Sequence, residues 1–201
     1  MTSSFEKFKI QHAMTGREKA DGYSPDVFVG LDNDEKDIVF DMLVSELPWA
    51  AEWLFHIDPE KAISAAKALE TELRGRYYSN AYMLQPLLVK YTGDLIYQQH
   101  MIEDYPTCND SLKSQVVWAI GGTPENDAAI KFFKEVILVD TNEDAVATAS
   151  QNLLDALHVP RSTDEDKQNY WRLNDDLRSD STEAKKKAIA ELEKFAASAS
   201  R

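Results

Sequence analysis

The side chains able to do chemistry are few and scattered along this chain. Four histidines, His12, His56, His100 and His158, stand far apart and show none of the spacing that holds a metal ion. His56, His100 and His158 fall near the ends of helical stretches, where an imidazole commonly bonds the last carbonyls. The one cysteine, Cys108, cannot close an internal disulfide, and as a nucleophile it would need a base beside it. It reads as a partly buried, inert thiol. There is no Gly-x-Ser-x-Gly, no phosphate-binding glycine loop and no Gly-x-Gly-x-x-Gly. Asp32-Asn-Asp-Glu-Lys-Asp has the acids of a calcium loop but lacks the turn glycine and the distant bidentate glutamate. Acids in a first helical turn, complementing the helix dipole, explain it and the Asp164-Glu-Asp cluster as well. The expectation is a protein that is not an enzyme, with no cofactor and no metal.

Charge is distributed more tellingly. The net charge is −13, from 35 acids and 22 bases. Residues 1–31 and 161–201 are each neutral overall, so 32–160 carries the whole excess, with nine bases against 22 acids. A concentrated negative field steers cationic partners and repels the phosphates of nucleic acid. With 43% hydrophobic residues the chain has material for a core, which excludes a wholly disordered chain. Its longest apolar runs, Val116–Ile120 and Val136–Val139, are far short of a membrane span. The start, Met1-Thr-Ser-Ser-Phe-Glu-Lys-Phe-Lys, has no apolar h-region, so the expected location is cytoplasmic.

Seven glycines and seven prolines separate long stretches rich in alanine, leucine, lysine and glutamate, which makes the chain all-α. Asp58-Pro59-Glu60 is an N-cap with proline at the first helical position, and Ala62, Ile63, Ala66, Leu69 and Leu73 follow at helical spacing up to Gly75. Thr123-Pro124-Glu125 repeats that start signal ahead of Ala129, Phe132, Phe133, Val136 and Ile137. Asn142 opens a stretch whose stripe is Val146, Ala149, Leu153 and Leu157. Further helices are expected at 33–47 (burying Ile38, Val39, Met42 and Leu43), 49–57, 79–91, 95–104, 110–120, 163–177 and 182–197.

Every second helix end and its turn recurs at 53, 88, 118 and 153, intervals of 35, 30 and 35 residues. The segment from Asp110 to Ile130 resembles a HEAT repeat of the short type found in phycobilin-lyase-like proteins. An acidic turn residue (Asp110), an apolar residue followed by a base (Leu112-Lys113), a small-residue run, Trp118-Ala119-Ile120-Gly121 and Thr123-Pro124 fill that pattern's slots. At 142–157 Ala147 stands where the base would be, while 33–57 and 59–91 share the spacing and apolar pattern. The resemblance implies a right-handed α-solenoid of about four to five antiparallel helix pairs. Such pairs bury one side only and need neighbours to complete the core. The repeats would occupy 32–160, with 1–31 an N-terminal extension or cap and 161–201 a C-terminal helical cap bearing the stripe Ala188, Ile189, Leu192 and Phe195.

In such an array the second helix of each pair lines the concave wall. At 100° per residue, Leu112, Val116, Ala119 and Ile120 face the core, which turns Trp118 and Ser114 outward. Leu84, Leu87, Leu88 and Tyr91 likewise leave Tyr82 and Val89 outside. The wall would then present Glu52, Tyr82, Trp118, Asp144, Thr148, Asn152 and Asp155, aromatics flanked by acids, as a contact surface for a basic protein. Compact acidic HEAT-like proteins resemble bacterial immunity proteins, which block a secreted toxin domain; that role is the leading expectation, with no nucleic acid and no membrane as partner. A general scaffold or adaptor, or a lyase-like protein acting on a partner, are the alternatives.

Overall fold

The computed structural model describes residues 1–15 and 22–199, so residues 16–21 of the expected N-terminal extension, and the last two of the expected C-terminal cap, lie outside the described residues. Among the described residues the chain is all-helical, with eleven α-helices, four short 3-10 turns and no strand. The helices are α1 (Ser3–His12), α2 (Asn33–Val44), α3 (Ala51–Ile57), α4 (Pro59–Leu73), α5 (Gln85–Thr92), α6 (Ile96–Asp104), α7 (Lys113–Gly121), α8 (Asp127–Val139), α9 (Glu143–Ala156), α10 (Asp164–Arg178) and α11 (Thr182–Ala199). None is long and apolar enough to cross a membrane.

Side chains fix most of the starts. Asp32 accepts from the Glu35 N–H at 2.9 Å while the Glu35 carboxylate accepts from the Asp32 N–H, a reciprocal capping box. Thr163 and Asp166 form a second one. Asp58 caps α4 ahead of Pro59, and Asn142 caps α9. Each such bond contributes about 1 kcal/mol. The start expected at Thr123-Pro124-Glu125 is displaced to Asn126, whose carboxamide oxygen accepts from the Ala129 N–H. Thr123 cannot cap because its hydroxyl donates back to the Ile120 carbonyl at 2.5 Å and accepts from Gln98 at 2.6 Å. The helix expected over 79–91 is also broken. Ala81–Met83 is a 3-10 turn and α5 begins only at Gln85. The changed winding rotates the face that follows: Val89 is buried and Tyr91 is partly exposed, the reverse of the expected order. In α2 it is Phe40 that is buried, with Val39 and Leu43, whereas Ile38 faces solvent.

Consecutive helices from α2 to α11 pack on one another, apart from looser contact in places, and alternate helices also touch: α3 with α5, α5 with α7, α7 with α9, and α6 with α8. Helix α11 reaches back to α8, tied there by the Lys134–Glu193 ion pair at 2.6 Å. Cross-ties bind the other alternate pairs. Lys61 of α4 meets Asp37 of α2, and Arg74 after α4 meets Glu103 and Asp104 of α6.

The buried apolar residues fall into two clusters. One joins Phe5, Phe8, Val27 and Phe28 of the first thirty-one residues to α2–α5 and Tyr97. The other joins Met101 and helices α7–α9 to Tyr170, Leu173, Leu177, Ala188, Ile189 and Leu192. Both end segments are thus built into the core, and α6 supplies Tyr97 to one cluster and Met101 to the other, about one turn apart.

Helices α7 and α9 approach closely. Ser114 and Thr148 share a hydroxyl hydrogen bond at 2.9 Å, and Asn152 Nδ2 donates to the Val117 carbonyl at 2.9 Å. A Cβ on Gly121 would collide with that carboxamide. Overpacking of this kind costs about 1–3 kcal/mol, against at most ~1 kcal/mol that alanine gains over glycine in a helix. Gly121→Ala is therefore expected to lower the stability read from urea denaturation by about 1 kcal/mol. The loss should largely vanish in an Asn152→Ala background, where the colliding group is gone.

Candidate functional site

The four buried positions on either side of Trp118 determine what α7 shows to solvent. Val116, Val117, Ala119 and Ile120 are all buried, so Trp118 is left 71% exposed. Its indole forms one wall of a cleft of about 820 Å³. Lining also comes from the turn before α3, where Pro48 precedes Trp49, and from Glu52 and Trp53 of α3. Trp49 is 67% exposed. Trp53 is half-buried and stacks on Phe28, ring centroids 4.8 Å apart, which fixes its plane against the N-terminal core. Tyr82 of the 3-10 turn and Leu87 and Lys90 of α5 complete the lining, with Pro124 beyond Trp118. Tyr82 packs on the C-terminal core and Leu87 on the N-terminal one. Burial holds the Tyr82 phenol above its ordinary pKa, so it is a neutral hydroxyl at physiological pH.

The cleft carries one acid and one base, Glu52 and Lys90. Among the described residues Glu52 has no ion-pair partner, and Lys90 lies over the Tyr91 ring at 5.3 Å. Of the acids expected on this wall, Glu52 lines the cleft and Asp144 and Asp155 do not. An apolar, aromatic wall with so few charges suits the holding of an apolar or aromatic group.

Of the residues expected on one wall, the structure brings Glu52, Tyr82 and Trp118 together in this cleft. Asn152 and Asp155 line a smaller cavity with Glu125, adjoining the cleft at Thr123. There Asp155 pairs with Arg161, and Glu125 lies 3.4 Å from His158. Thr148 and Asn152 were expected to face outward and instead face α7, through the bonds to Ser114 and Val117 described above. Asp144 is exposed in the first turn of α9, away from the cleft lining. Sequence reasoning missed Trp49, Trp53 and Lys90. Trp49 lies in the turn before α3 and Trp53 within it, so no helical stripe in the sequence joined them.

A second cavity, of about 550 Å³, is walled by Tyr105, Lys113, Phe132, Val139 and Asp140. The Tyr105 hydroxyl donates to Asp140 at 2.8 Å, Lys113 lies 3.1 Å from the same carboxylate, and the Asn142 N–H donates to it at 2.8 Å. Burial acts to raise the Asp140 carboxyl, but those three donors together outweigh it and hold it below the ordinary carboxylate value. Both carboxylate oxygens of Asp140 are thus taken by neighbours, which makes it a strut between the 3-10 turn after α6, α7 and the α8–α9 turn. Nearby, burial pushes the Cys108 thiol up to about 11, more than Lys113 lowers it, so the thiol is protonated and unreactive at neutral pH. Among the described residues no group of three or more His, Cys, Asp or Glu side chains is placed to hold a metal ion.

No family model, curated protein or solved structure matches the chain.

The Asp140 strut has a pH signature. A carboxyl whose folded pKa lies below its unfolded value contributes stability that is fully present above the unfolded pKa and lost as pH falls through the folded one. Chemical denaturation across the acid range should therefore show the native protein losing this share below about pH 4. Asp140→Asn should be less stable at neutral pH by about 1–3 kcal/mol and should lose less than the native protein over the same acid range.

Proposed function

We propose that the chain is a non-enzymatic protein-binding module, a right-handed HEAT-like α-solenoid of four to five helix pairs. The repeats run over 32–160, and 1–31 and 161–201 close its ends. It works in the cytoplasm on a basic protein partner, in the manner of an immunity protein that neutralises a toxin domain. The observation that carries the binding reading is the cleft between Trp49 and Trp118, two indoles more than two-thirds exposed at the rim of an apolar lining. Exposed tryptophans of this kind are enriched at the energetic centres of protein interfaces. Covering the free part of each would contribute roughly 3–4 kcal/mol before the costs of association are subtracted.

The contacts between alternate helices support the repeat reading, since stacked pairs touch in that order. The acid excess within 32–160 supports a basic partner, attracted from a distance even though the cleft itself is nearly neutral. Affinity and attraction are then divided: aromatic burial holds the complex, and the surrounding field speeds its formation.

Co-expression with the product of the adjoining reading frame, followed by calorimetric titration of the purified pair, tests this directly. Trp118→Ala should weaken the complex about 30-fold, or ~2 kcal/mol, while leaving the thermal midpoint of the free protein within a few degrees of the native value. The association rate should fall as salt is added, with little change in the dissociation rate. A Trp118→Ala protein that unfolds, or a complex indifferent to it, would remove the cleft from the interface.

A further inference from the structure

The cleft is rich in hydrogen-bond donors that the protein itself does not use. Among the described residues, the indole N–H groups of Trp49, Trp53 and Trp118 and the hydroxyl of Tyr82 have no hydrogen-bond partner. Trp49 and Trp118 are exposed residues, and the Trp53 N–H and Tyr82 hydroxyl are not among the buried, unsatisfied groups. The Lys90 ammonium, which has no ion-pair partner among the described residues, adds a fifth donor. Against them stands one anionic acceptor, Glu52. A ligand that suits this wall must offer acceptors in excess of donors and a flat apolar surface for the rings.

An α-helical ligand fits that requirement poorly, because its carbonyls are spent on its own N–H groups. A polyproline II segment has no internal hydrogen bonds and leaves every carbonyl free. Proline also removes the backbone donor, so a proline-rich stretch presents acceptors without matching donors. Its pyrrolidine rings pack on aromatic faces, and its preformed backbone has little entropy left to lose on docking. Glu52 calls for a positive charge in the same ligand, in keeping with the sign of the field around the cleft. At about 820 Å³ the space is larger than one side chain fills, as an extended segment requires.

We infer that the cleft receives an extended, proline-rich segment of the partner that carries an arginine or lysine for Glu52, an inference that rests on the protein-binding reading above. The indole and phenol donors bond successive carbonyls of that segment, and Glu52 pairs with its cation.

The test titrates the intact protein with two capped synthetic peptides of equal charge, one proline-rich and arginine-bearing, the other an amphipathic helix. Tryptophan emission and the indole N–H resonances report occupancy. The proline-rich peptide is expected to move at least the Trp49 and Trp118 indole signals, and Trp49→Phe or Trp118→Phe, which keep a ring but lose the N–H, to weaken it about 10-fold. Glu52→Gln should weaken the same peptide and leave its arginine-to-alanine version unaffected. If the helical peptide moves those signals and the proline-rich one does not, the inference falls while the cleft remains a protein site. If neither peptide moves them, the inference falls as well, and the Trp118→Ala titration with the co-purified partner decides separately whether the cleft binds protein. A peptide that binds equally well to the Trp→Phe variants would also overturn it, because the donors would then play no part.

Discussion

Helix α7 is enclosed by neighbours on almost every side, and that enclosure governs the rest of the molecule. It touches α5, α6, α8, α9 and the 3-10 turn at Ala81–Met83. A helix of nine residues that buries Val116, Val117, Ala119 and Ile120 needs partners on several sides, because those four side chains leave it at widely different angles. The one direction left open is the one Trp118 takes. Gly121 permits the approach of α9 at the end of this helix, and the carboxamide of Asn152 fills the space a side chain would have needed. The position of the indole is therefore a by-product of close packing elsewhere, held by groups that never touch the cleft.

The polar cross-links follow the same economy. Gln98 donates to both Thr123 and Pro124 and accepts from Asn126, so one buried amide positions the turn that ends the cleft wall. Glu70, also buried, accepts from Gln85 at 2.9 Å and lies 2.8 Å from the His100 ring, joining α4, α5 and α6 through a single carboxylate. Asp140 does this for the far side. Buried polar groups satisfied in this way fix the angles between helices, which apolar contact alone leaves loosely specified. The long charged side chains add little, since most of the ion pairs are exposed and such pairs contribute at most about 1 kcal/mol.

Local signals in the sequence carried the helices well and their faces less well. Asp32, Asp58, Asn142 and Thr163 cap where their chemistry says they should, because the bond involved spans only three residues. Thr123 failed as a start because Gln98, 25 residues away, competes for its hydroxyl. The 3-10 turn before α5 was invisible for a related reason: its tighter winding is set by what packs on it, and one such turn was enough to exchange Val89 for Tyr91. Trp118 and Tyr82 could be read as outward from periodicity, yet Trp49 and Trp53 could not, since the segment that holds them is too short to show a stripe. The acids of 32–160 were counted correctly from composition, but composition says nothing of where on a surface they lie, and the cleft lining received only Glu52.

The division of the interior into two apolar clusters bears on how the molecule comes apart. The halves are coupled through α6, through the Gln98 bonds to Thr123, Pro124 and Asn126, and through the contacts of α5 and the Ala81–Met83 turn with α7. The cleft straddles the boundary between them, taking Trp53 and Leu87 from one half and Tyr82 and Trp118 from the other. Whatever lodges there acts as a clasp: its binding free energy is added to the resistance of both halves at once, by mass action, and either half melting alone would have to eject it. The occupied molecule would then unfold as one unit where the empty one has the makings of two.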